Sequence, residues 1–167
     1  FDTKKNINKD TQSLMDNSKF LGRIFNYVEY DDEVKKEDVI ELEKRFLDLE
    51  PSLPQLKEKL ELRVRKLGRH RFNGAYRHSE LNKTICINVR DISSFVHEYG
   101  HAIDYNYTSN DKNLSLSPDF EYILRTYNRN LVDKKLGNVS YAGYFRTPTE
   151  VFARSYELYF HSKYGAI

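Results

Sequence analysis

The chain has a single cysteine, Cys86, in 167 residues. One thiol can close no internal disulfide, so the reducing cytoplasm is the natural compartment and the fold must be held by its core. No apolar run approaches the length of a membrane span, which excludes a spanning helix, and Phe1-Asp2-Thr3-Lys4 does not begin a signal peptide. Internal repeats and low-complexity tracts are missing. An excess of charge is missing too: 27 basic against 25 acidic residues leave +2, which selects no class of partner. Because the first residue is not Met, the sequence is read as an excised piece. A secreted enzyme whose export signal preceded Phe1 is therefore the alternative to a cytoplasmic one. What is present is 39% hydrophobic and 31% charged residues, the balance of a soluble globular chain long enough for one domain and too short for two.

His97-Glu98-Tyr99-Gly100-His101 is an H-E-x-x-H run. On a helix, residues four apart are rotated by about 40° and separated by about 6 Å along the axis, so both imidazoles can reach one metal ion, with zinc the expected metal. Glu98 then lies about 100° round the helix, placed to act as general base on water at the metal without ligating it. The flanking residues fit a helix in a cleft. Asp91 is a good N-cap; Ile92, Phe95, Tyr99, Ala102 and Ile103 share one face, and Ser94, His97, His101 and Asp104 the other. These features read as a zinc metallopeptidase. A Cys-His pairing of Cys86 with His97 is the weaker reading, because Cys86 sits in the apolar run 84–89 as a small buried hydrophobe.

A catalytic zinc takes three protein ligands, so a third donor must come from elsewhere. Asp104 lies about 10 Å along the axis from His97, too far for the same ion, and is better placed to accept a ring N–H of His101. Near the C-terminus, Thr147 and Pro148 start a helix with Glu150, Arg154, Glu157 and His161 on one face and Phe152, Tyr156, Tyr159 and Phe160 on the other. Glu150 is the first choice for the third ligand, Glu157 the second and His161 the last.

Taken together, His97 to Tyr105 and Tyr144-Phe145-Arg146-Thr147-Pro148-Thr149-Glu150-Val151-Phe152-Ala153-Arg154 resemble gluzincin-type metallopeptidases of the anthrax lethal factor-like kind. They also resemble zincin domains of phage and mobile-element polyvalent proteins. The likeness covers about the last half of the chain. It implies an α+β, mainly helical zincin-like domain with a small antiparallel sheet, zinc on His97, His101 and Glu150, and Glu98 as base. It further implies a tyrosine hydroxyl that assists the reaction electrophilically, with Tyr144 first and Tyr141 in reserve. Arg154 departs from the likeness, standing where some relatives place an acid.

The rest of the chain organises around that motif. Residues 1–30 read as a lead-in or linker with a short helical turn near Phe20 to Tyr27, ahead of a single metallopeptidase domain over 31–167. Val39, Leu42, Phe46 and Leu49, then Leu53, Leu56, Leu60, Val64 and Leu67, recur at helical spacing and predict a helical hairpin over 31–68, closed by Gly68. Strands are expected over 69–90, as Arg71 to His78 and Lys83 to Val89, then the metal helix over 91–107. A further helix over 118–136 carries Phe120, Ile123, Leu124, Tyr127 and Leu131 and ends near Gly137, and the third-ligand helix spans 148–164. By resemblance and by strand-addition logic, an extended peptide substrate would lie beside Thr84, Ile85, Ile87 and Val89 as an edge strand. The rival reading is a nucleic-acid or partner-docking module with an auxiliary zinc, suggested by Arg63, Arg65, Lys66, Arg69 and Arg71 with Phe72 and Tyr76 close by.

Overall fold

In the computed structural model, residues 4–67, 73–108, 112–133 and 142–166 are described. The fold is α+β, with a mixed four-stranded sheet of order β1-β2-β4-β3. Residues 4–30 do not form a linker. Helix α1 (Lys9–Asp16) is capped by the Asn8 side chain, which accepts the Thr11 N–H at 2.8 Å, and β1 (Phe25–Tyr30) is a full strand of the sheet. The segment expected to make a helical turn, Phe20 to Tyr27, is a turn running into that strand. Three aromatic or β-branched residues among the last four of β1 favour a pleated surface over a helix. Met15, Phe20, Ile24, Phe25 and Val28 are buried with it.

Helix α2 (Lys36–Leu49) buries Val39, Leu42, Phe46 and Leu49, as the helical spacing predicts, and a 3-10 turn over Glu50–Ser52 ends it. The second arm of the expected hairpin is absent: residues 60–65 form strand β2 (Leu60–Arg65). Leu60, Leu62 and Val64 alternate toward the core, a period of two hidden inside a stripe that also fits 3.6. Strands β3 (Gly74–His78) and β4 (Lys83–Asn88) pair antiparallel through a turn in which Ser79 and Asn82 bond each other, leaving Leu81 at the exposed tip. Arg71, Phe72 and Gly68 lie outside the described residues. The expected antiparallel sheet is therefore a mixed one. Strand β2 runs parallel to β1, since α2 carries the chain back from the end of β1 to the start of β2, and it runs parallel to β4 on its other side.

Register sorts the side chains by face. Leu62 lies opposite Val28 and Ile85, and Val64 opposite Tyr30 and Ile87, and this face packs against the helices. At its centre Phe46 meets Phe20 and Phe25 at a tilt and Phe95 edge to face, with ring centroids 4.8 to 5.8 Å apart; Phe95 belongs to helix α3 (Ser93–Asn106). Helix α4 (Pro118–Asp133) follows, with Phe120 buried but Ile123 44% exposed, so its predicted stripe is only partly used. The expected end of that helix beyond 133 lies outside the described residues. A short helix α5 (Ala142–Phe145) leads into α6 (Pro148–Tyr164), which packs along α3. Among the described residues no helix is long and apolar enough to cross a membrane.

The opposite face of the sheet is ionic. Glu29 is fully buried and Arg63 is 2% exposed; they pair at 3.0 Å, and Arg65 grips the other Glu29 oxygen. Glu61 reaches Arg63 at 3.3 Å, Asp31 reaches Arg65 at 3.5 Å, and the Lys4 N–H donates to Glu29. Two members of the basic cluster, Arg63 and Arg65, are thus paired with internal acids; Arg69 and Arg71 lie outside the described residues. Cys86 is buried on this face, opposite the helices, and burial pushes its thiol up. Burial alone would raise the Glu29 carboxyl, but hydrogen bonds from Arg65 and the Lys4 N–H overcome that and hold it below the ordinary carboxylate range. A depressed carboxyl stabilises the fold above its unfolded pKa, and that share is lost as pH falls through the folded value. Replacing Glu29 by Gln should cost about 3–5 kcal/mol in urea unfolding near neutrality. The loss of stability that wild type shows on acidification below pH about 4.5 should be correspondingly smaller in the variant.

Candidate metal centre

Helix α3 begins one residue after Ile92, and Asp91 steadies its start by accepting the Ser93 N–H at 3.1 Å. Phe95, Val96, Tyr99, Ala102 and Ile103 anchor the helix in the core, which turns His97 and His101 toward α6. The two helices approach closely because Gly100, between the histidines, has no side chain. A Cβ there would stand 3.0 Å from Ala153 Cα and 3.2 Å from its carbonyl oxygen. That contact sets Glu150, one turn before Ala153, over both imidazoles.

Glu150 Oε1 lies 3.1 Å from His101 Nε2, and Oε2 lies 3.5 Å from His97 Nε2. One ligand atom from each of His97, His101 and Glu150 falls within 4.8 Å of the other two. Glu157 and His161 stand outside that cluster: Glu157 meets His97 at Nδ1, the far side of the ring, and His161 lies 3.9 Å from Glu157 and bonds the Gly165 carbonyl at 3.3 Å. Glu150 is buried, and its Oε2 makes no hydrogen bond, with only the longer ionic contacts of His97 and Arg154 at 3.5 Å; a cation between the imidazoles would satisfy it. Two imidazoles and a carboxylate are a donor set suited to zinc. Burial alone would raise the Glu150 carboxyl, but His101, His97 and the Tyr144 hydroxyl hold it far below its ordinary value. Burial would likewise lower His97, and the carboxylates of Glu150, Glu98 and Glu157 outweigh it and raise the imidazole.

Glu98 is buried beside the cluster, and burial pushes its carboxyl up to about 7. Strand β3 reaches it because position 74 is glycine; a Cβ there would lie 2.9 Å from Glu98 Oε1. Tyr144 is 54% exposed and donates its hydroxyl to Glu150 Oε1; Tyr141 lies outside the described residues. Arg154 brings Nε to 3.5 Å from Glu150 Oε2 and lays its guanidinium over the Phe145 ring at 4.7 Å.

Asp104 is fully buried and does not take the expected ring N–H of His101. Its Oδ1 accepts the Ser115 N–H at 2.7 Å and its Oδ2 has no partner, so it ties α3 to the following segment instead. The strand expected to border a substrate is also different. Strand β4 is paired on both sides, by β2 and by β3, and Thr84, Ile85, Ile87 and Val89 are buried, so none of them offers a free edge. The edge is β3. Its helix-facing residues Gly74, Tyr76 and His78 line a cleft of about 440 Å³ with Glu98, His101 and Glu150. Tyr76 stacks parallel to His101 at 6.4 Å, and His78 stacks on Tyr105 at 4.6 Å. On α6 the predicted apolar side is only partly used, since Tyr159 is 55% exposed while Val151 and Ala153 are buried.

The chain matches no family model, no curated protein and no solved structure.

What the site can do therefore rests on its own geometry. Sequence reasoning passed over Gly74, whose signal was a lone glycine in a strand, the mark of a close backbone approach. It also passed over Tyr76, His78 and Tyr105, which carry no spacing signature. Because the α3–α6 contact is set by the missing side chain at 100, Gly100→Ala should lower stability by about 1–3 kcal/mol. The same change should weaken divalent-cation binding, measured by competition with a chelating indicator, as Glu150 is pushed off the imidazoles.

Proposed function

We propose that this chain is a zincin-like metallopeptidase of gluzincin type, which hydrolyses peptide bonds of a protein substrate with a zinc ion held by His97, His101 and Glu150. The observation that carries the reading is the meeting of those three donors within 4.8 Å, with the Glu98 carboxyl buried alongside. A structural zinc site has no use for such a base. The resemblance to lethal factor-like and polyvalent-protein zincins agrees with this reading. The nucleic-acid alternative is weakened by the internal pairing of Arg63 and Arg65.

A zinc ion in this donor set would supply Lewis acidity, polarising a carbonyl and making water a better nucleophile. The chain supplies the rest. An extended peptide is received along the open edge of β3 by backbone pairing, so the scissile carbonyl crosses the mouth of the cleft. Glu98, raised toward neutrality by burial, takes the proton of the attacking water on a carboxylate oxygen and passes it to the leaving amine nitrogen. Tyr144, at the rim, turns its hydroxyl from Glu150 to the oxygen that develops charge. Arg154 steadies the Glu150 carboxylate from behind.

Elemental analysis for bound zinc, then cleavage of a proteome-derived peptide library with and without chelator, tests the reading. Glu98→Gln should keep its zinc and lose about 100- to 10,000-fold in turnover. Full turnover by that variant would rule out the assigned base. Glu150→Ala should lose zinc affinity itself. Gly74→Ala should displace the flexible Glu98 side chain, lowering kcat while zinc content and folding stay unchanged; unaltered kcat would show that the approach of β3 does not set the position of the base.

A further inference from the structure

We infer that Glu157 is the positioning residue for His97: its carboxylate accepts the Nδ1–H and so keeps the Nε2 lone pair aimed at the cation. The inference rests on the metal reading above.

The imidazole of His97 is flanked by two carboxylates from the same helix. Nε2 faces Glu150 Oε2 at 3.5 Å, and Nδ1 faces Glu157 Oε2 at 3.2 Å. Seven residues separate the two acids, about two helical turns, so both project from one side of α6 and bracket the ring between them. A neutral imidazole carries its proton on one nitrogen only, and the group bonded to one nitrogen decides which lone pair the other can offer. An acceptor at Nδ1 selects the tautomer in which Nε2 is a ligand, and fixes the ring plane as well. Glu157 is no substitute ligand, because its oxygens approach the ring from the side away from the cluster.

Glu157 is itself held. Its other oxygen, Oε1, lies 3.9 Å from His161 Nε2, one turn further along α6. With its side chain one-third exposed, Glu157 can be replaced without opening a cavity in the core. His101 is arranged differently: the acid one turn beyond it, Asp104, is engaged by Ser115. The helix that brings the third ligand is thus also the one that orients the first.

Zinc affinity measured by indicator competition on the full chain, in wild type, Glu157→Ala, Glu157→Gln and Glu150→Ala, tests this. Glu157→Ala should bind zinc about 10- to 100-fold more weakly, with far-UV circular dichroism and Tm unchanged. The amide oxygen of Gln still accepts a hydrogen bond, so Glu157→Gln should recover much of that loss. In NMR spectra of the zinc-loaded protein, the His97 Nδ1 proton should be slow to exchange in wild type and in the Gln variant, and lost to exchange in the Ala variant. Wild-type affinity in Glu157→Ala, with that proton retained, would overturn the proposal. A loss equal to that of Glu150→Ala would overturn it differently, by making Glu157 a ligand. A wild-type chain that binds no zinc would defeat the metal reading itself, a result separable from both.

Discussion

The site depends on how closely two helices can approach. Helix α3 carries two imidazoles and a buried carboxyl, and the three-donor cluster is complete only when a second carboxylate arrives from α6. The contact of Gly100 with the backbone of Ala153 lets α6 come near enough, and it lies between the two histidines along the helix. Glycine inside a helix costs about 0.5–1 kcal/mol relative to alanine. Here that cost falls on the residue whose missing side chain brings the third donor within reach.

The sheet does more than hold α3. Its order places β3 at an edge, and its register turns Gly74, Tyr76 and His78 toward the helix that bears the histidines. An edge strand, the buried Glu98 carboxyl and an aromatic wall therefore meet along one line. Burial tunes the same line: the protein surroundings that raise Glu98 also exclude the water that would keep a carboxylate ionised at low pH.

Much of the site could be read from the sequence because helical spacing is local. His97, Glu98 and His101 need only one helix, and the Thr147-Pro148 start sets Glu150 in its first turn. The fold around them was less legible where two periods coincide. Leu56, Leu60 and Val64 fit a helix, while Leu60, Leu62 and Val64 fit a strand, and only the parallel partners on either side decide between them. Misreading β2 also hid the parallel pairings of the mixed sheet, and with them the interior position of β4. Residues 20–30 were missed for a related reason: a strand of six residues following a polar lead-in makes a weak pattern until its long-range partner is known. Asp104 and Glu157 show the limit at atomic scale, since which acid meets which ring is settled by the packing of separate elements.

The Glu29–Arg63–Arg65 network has a bearing on how the sheet finds its alignment. Side chains alternate along a strand, so shifting β1 by one residue against β2 would carry Glu29 in among the phenylalanines and set Val28 against the guanidinium groups. Such a slip would strand charge in oil on one side and leave two cations facing hydrocarbon on the other. The three charges therefore act as a key against any pairing that would swap the two faces of the strands, whatever they add to the native state.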